Sequence, residues 1–198
     1  MNASQLWESG DARAWEQAAR QAGSAGGLDP LPQDSLGSMD AAAFRDYALE
    51  RLYPAAHPNP QRLAAARAAL NESFESDDGA AVDLVRERLQ YLDPADTEWA
   101  LRVASDLPGL GVAGASTLLA VVFPEHFGAL NNLLLRALRS VERLPEAPLL
   151  REVHLEILTP EDGAVLVEVL RRKAEQLRRN GTLRVTAKQV SEALQGTR

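Results

Sequence analysis

Along nearly the whole chain, apolar positions recur at the three- and four-residue spacing that collects them on one face of a helix. Phe44, Ala48 and Leu52 stand four apart, and Val82, Leu84, Val85, Leu89 and Leu92 mark another helix. Polar and punctuating residues set the ends. Trp7 to Gln21 predicts one or two short helices broken near Gly10, and a helix is expected from Asp40 to Leu52. "HPNP" places Asn59 as N-cap and Pro60 at the first helical position of a helix carrying "QRLAAARAALNESF". Asp93-Pro94 repeats that start, with Asp96 and Glu98 in the first turn, where the helix dipole favours anions, and with Trp99, Leu101, Val103 and Ala104 as apolar positions.

Further helices are predicted from Ala113 to Phe123, Leu130 to Val141 and Pro148 to Leu158. Thr159-Pro160 opens a long helix that Asn180-Gly181 closes with a left-handed cap, and Thr186 with Gln189 makes a capping box for a last helix to Leu194. "GTLRVT" is compatible with extended chain, but no alternating strand pattern is convincing. The expected class is all-α, a helical bundle without internal repeats. Gly23 to Ser38, rich in Gly, Pro and Ser, predicts a loop or linker within an N-terminal region 1–92. That region and residues 93–198 are expected to form one compact unit.

Composition narrows the function classes. Apolar residues make up 45% and charged residues 25% of the 198, as in ordinary globular proteins. No run approaches the roughly 18 apolar residues that span a bilayer, and the N-terminus shows no secretory pattern, so no membrane role is expected and the expected location is cytoplasmic. Without cysteine there is no disulfide, thiol nucleophile or thiolate metal site. No ligand spacing suggests a metal, the histidines are scattered singly, and no cofactor is implied. The charge of −7 is uneven: residues 1–106 hold 9 Lys+Arg against 18 Asp+Glu, whereas 107–198 hold 12 against 10. Phosphate neutralisation drives most non-specific nucleic-acid binding, so only the C-terminal half is suited to it. The acidic half could instead carry a protein partner.

The most informative stretch is "DLPGLGVAGASTLLAVVFPEHFGALNN", Asp106 to Asn132. It puts glycines between two predicted helices. Gly109, Leu110, Gly111, Ala113 and Gly114 can turn backbone N–H groups outward beside the positive end of the following helix, an arrangement suited to a phosphate. Leu107, Leu110 and Val112 would pin the turn to the core, while Ala115 and Ser116 would let the helices approach. The same residues also serve a plain turn between packed helices.

"LPGLGVAGASTLLAVVFPEHFGALNNLLLRAL" resembles the helix-hairpin-helix of the base-excision DNA glycosylase superfamily, and most of all its poorly characterised bacterial relatives, over about residues 95–196. The resemblance implies a glycosylase-like C-terminal half that contacts the backbone of double-stranded DNA in repair. It also implies an aspartate that stabilises the cationic sugar and, in some members, a hairpin lysine that forms a Schiff base. Here Asn131 stands at the aspartate position and Ala113 at the lysine position. A neutral amide neither balances positive charge nor acts as a base, so standard glycosylase catalysis is not expected. Glu125 is a weak substitute candidate as acid or base, while Asn131 also suits a helix N-cap.

"RRKAEQLRRNGTLR" adds six cations, among them Arg171, Arg172 and Arg178 as candidate phosphate contacts. Cations near a helix C-terminus are also expected as a solvated face. Three functions follow: a DNA-binding protein that grips backbone through the hairpin; an active glycosylase or lyase with a non-standard carboxylate; and a non-enzymatic protein-interaction scaffold or DNA mimic.

Overall fold

A computed structural model describes residues 1–23, 28–180 and 184–197. Those residues are helical or irregular, with no strand among them. Side-chain caps decide many of the helix starts. Asn2 and Gln5 form a capping box for α1 (Ala3–Glu8), and α2 (Ala12–Gly23) follows after a break at residues 9–11. Asn59 accepts hydrogen bonds from the amides of Gln61 and Arg62 at the start of α6 (Pro60–Ser76). Thr186 and Gln189 close the predicted capping box on α13 (Ala187–Gln195). Each such cap satisfies amides that the helix itself leaves orphaned, worth about 1 kcal/mol.

Four predicted segments differ from the structure. The expected loop 23–38 contains a short helix, α3 (Gln33–Leu36). The Gln33 amide donates to the carbonyls of Leu89, Gln90 and Leu92, at and just beyond the C-terminal end of α7 (Ala80–Gln90). Residues 24–27 of that segment lie outside the described residues. The expected helix at 40–52 is α4 (Ala41–Tyr47) followed by a π-helical turn (Ala48–Leu52) and α5 (Tyr53–Ala56). Asp93 does not start α8 (Thr97–Ser105): its carboxylate accepts from the Ala95 amide in a turn, and Asp96 is the N-cap, accepting from Trp99. The helix expected to reach Leu158 is α11 (Ala147–Glu152), followed by a separate 3-10 turn at Leu155–Ile157. The Gly181 cap and part of "GTLRVT" fall outside the described residues.

Residues from both sides of position 92 share one apolar core, which includes Trp15, Phe44, Leu89, Leu118, Phe127 and Leu170. The long α12 (Pro160–Asn180) buries Leu166, Leu170, Ala174 and Leu177, the stripe its sequence predicts. It packs against α8 and α13. α9 (Gly111–Val122) lies against α8, and α13 lies against α2, so the N-terminal helices brace the last one. α10 (Asn132–Arg139) completes the wall beside α13. Among the described residues no helix is long and apolar enough to cross a membrane.

Candidate functional site

The turn between α8 and α9 is built by two glycines with different duties. Gly109 has φ +78°, and a Cβ there would lie 2.8 Å from Ala66 Cα and 2.9 Å from Ala66 O on α6. It must be glycine for conformation and for space. Gly111 has φ +62°, yet a Cβ there would meet no heavy atom within 4 Å. One glycine seats the turn on the protein; the other faces open space.

Leu107 and Leu110 are buried and Val112 is partly so, and together they pin the turn as the sequence implies. The Tyr53 hydroxyl donates to Pro108 O from behind, and its burial raises its pKa well above the ordinary value. His57 stacks on Tyr53 with ring centroids 5.8 Å apart. Burial lowers the His57 pKa, a hydrogen bond to the Gly109 backbone opposes that, and Arg62 adds to the lowering. Its Nε2 is buried without a hydrogen-bond partner among the described residues.

α9 begins at Gly111 with no side-chain cap and no acid in its first turn. Its leading amides and the positive end of its dipole are therefore not neutralised by any side chain of its first turn. Ser116 ties this helix to the loop that follows, donating from Oγ to Ala113 O at 2.6 Å and accepting from the Leu130 amide at 2.8 Å. Gly128 allows that loop to sit on α13, because a Cβ there would come within 2.5 Å of Ser191 Cβ.

Asn131 is the N-cap of α10: Oδ1 accepts from the Leu134 amide at 2.9 Å, and Nδ2 donates to Gln195 Oε1 at 2.7 Å. Gln195 donates in turn to Ser191 Oγ at 2.8 Å. Both ends of the Asn131 amide are thus engaged in holding α10 against α13.

Gly109, Leu110, Gly111, Ala113, Gly114 and Asn131 all line one open groove of about 1330 Å³. His57, just after α5, and Arg62 of α6 join them, and α13 adds Lys188, Glu192 and Gln195. Charge in the groove is balanced. Arg62 pairs with Glu156, and Lys188 Nζ donates to Leu28 O at 2.8 Å and lies 3.8 Å from Glu192. Burial raises the Glu192 carboxyl above its ordinary range, with Lys188 pulling it back. Lys188, Glu192 and Gln195 follow the four- and three-residue spacing of one helix face. That polar stripe, phased by the Thr186 cap, was a signal in the sequence.

The arginines of α12 do not line this groove. Arg171 turns inward: Nε donates to His126 O at 2.7 Å, and its two terminal nitrogens donate to Thr97 Oγ1 and Pro94 O, each at 2.6 Å. Its guanidinium also covers Phe127. Arg172 pairs with Glu146, and Arg178 pairs with Glu125 at 2.8 Å, so the candidate carboxylate is a surface ion-pair partner away from the groove lining. Lys173 is buried over the rings of Trp7 and Trp15 and donates to Trp7 O at 2.5 Å; desolvation lowers its pKa.

Among the described residues no group of three or more His, Asp or Glu side chains could hold a metal ion. No protein-family model, no curated protein and no solved structure matches the chain.

Proposed function

We propose that this protein binds nucleic acid, holding a backbone phosphate at the N-terminus of α9 and the adjoining nucleoside in the groove, without standard glycosylase chemistry. The observation that carries this reading is Gly111: a left-handed glycine facing open space, at an uncapped helix start, on the lip of a groove. Amides and dipole there favour an anion. The order of elements also supports the reading. A glycine turn, an apolar helix, a proline loop and a capped helix follow one another as the resemblance to helix-hairpin-helix glycosylases implies. Asn131 lines the groove, but its amide is neutral and committed to capping, so it supplies neither charge nor a base. With the α12 arginines turned to acids and carbonyls, and with a net charge of −7, affinity rests on few phosphate contacts. The salt dependence of binding should be correspondingly shallow.

The test is a titration of labelled duplex at several salt concentrations with the parent protein, Gly111→Asp and Gly111→Asn. Asp and Asn tolerate a left-handed backbone better than other side chains, and Asp at a helix start is favourable, so both variants should fold. Gly111→Asp offers its own carboxylate to the amides and should abolish binding, while Gly111→Asn should retain part of it. No binding by the parent protein at low salt would overturn the proposal.

A second, catalytic reading rests on Glu192 rather than Glu125, because Glu192 is the carboxylate of α13 that lines the groove and its burial raises its proton affinity. It would take a proton from an attacking water as the base departs with the electrons of the glycosidic bond. Release of a base from duplex, lost in Glu192→Gln, is the outcome that reading requires.

A further inference from the structure

α7 is apolar on two sides. Val82, Val85 and Leu89 enter the core, while Leu84 and Tyr91 point outward on the opposite face, 47% and 82% exposed. Leu84, Arg88 and Tyr91 follow the i, i+4, i+7 spacing of a single helix face. Trp99, from the first turn of α8, joins them at 48% exposure. Leu84, Arg88, Tyr91 and Trp99 all line one shallow depression of about 540 Å³. Tyrosine and tryptophan are the residues that most often anchor protein contacts, and clustering them in water has a solvation cost unless something covers them.

The rim identifies what would cover it. Glu87, Asp93 and Asp96 line the same depression, against one cation, Arg88, whose guanidinium is turned to Asp106 at 3.3 Å. Aromatic faces ringed by carboxylates attract cations. A second copy of this chain is a poor occupant, because a two-fold contact would set acid against acid. Nucleic acid is repelled for the same reason.

We propose that this face of α7 and Trp99 docks a partner protein through a basic segment, one that alternates apolar anchors with Lys or Arg. The anchors occupy the space between Leu84, Tyr91 and Trp99, and the cations reach the carboxylates and aromatic faces. This site is independent of the groove and of any nucleic-acid binding there.

The probe is a fluorescent peptide alternating Leu and Lys, with Leu–Glu and Ser–Lys peptides as controls, measured by anisotropy against the full chain. The parent protein should bind the Leu–Lys peptide and neither control. The double variant Tyr91→Ser, Trp99→Ser should lose at least about tenfold in affinity, as expected for exposed aromatic anchors. Glu87→Gln with Asp93→Asn and Asp96→Asn should lose several-fold and flatten the salt dependence; Asn still caps α8, so this second variant keeps the fold. Equal binding by both variants and the parent would overturn the proposal. Binding of Ser–Lys as tight as Leu–Lys would also overturn it, as would a dimer in sedimentation that the aromatic variant abolishes.

Discussion

The glycine turn and the basic helix α12 look like equal partners in the sequence, since each carries residue types that hold phosphate. In the fold they have opposite fates. The turn leaves Gly111 and the start of α9 open, while α12 spends Arg171 on carbonyls, Arg172 and Arg178 on carboxylates and Lys173 on two indoles. A cation is available to a ligand only when its donors are not already taken, whereas a backbone amide at a helix start has no internal partner to lose it to.

That contrast can be broken at several points. Arg171→Met should cost the most, roughly 3 kcal/mol in urea unfolding, because it strands the Pro94 and His126 carbonyls and the Thr97 hydroxyl. An unchanged midpoint would mean that Arg171 is free to bind ligand after all. Gly109→Ala should lose about 2–3 kcal/mol, combining a collision with α6 and a strained backbone. Gly111→Ala carries only the backbone strain, about 1 kcal/mol, and the gap between the two alanine variants measures the seating of the turn on α6.

A smaller effect comes from protons. Burial holds His57 and His126 below the ordinary 6.5, with Arg62 also lowering the first and Arg171 the second. As pH falls through 6.5 the unfolded chain takes up protons before the folded one, so stability present above 6.5 is lost on acidification. The melting temperature of His57→Gln should therefore fall less than that of the parent over the same range. Smallest of all, Arg178→Ala should change stability by less than about 0.5 kcal/mol, since its pair with Glu125 is exposed. It should leave duplex binding untouched.

Local chemistry was readable from the chain, and distant chemistry was not. Asn59, Asn131 and Thr186 cap helices where their residue type and following pattern say they should, because capping is settled within three residues. Asp93-Pro94 misled by one turn: Asp96 had equal capping chemistry and won the helix, leaving Asp93 to fold the approach. Glycines 109 and 111 were visible as a pair, but their difference depends on Ala66, far away in sequence. The same holds for the basic run. Its composition suggested a binding surface, and only the positions of Trp7, Trp15, Glu125 and Glu146 showed how its members were committed.

The packing of the N-terminal segments on the last two helices has a kinetic meaning. Lys173 reaches the Trp7 carbonyl across a separation of 166 residues, and Lys188 reaches Leu28 across 160. Closing such long loops adds little to the equilibrium cost, which grows only with the logarithm of length, but it slows the search for the native pairing. The wall of the groove that carries Glu192 and Gln195 is therefore expected to assemble last, after the α8–α9 turn and its neighbours have formed. During refolding, helical content should return before the groove is complete.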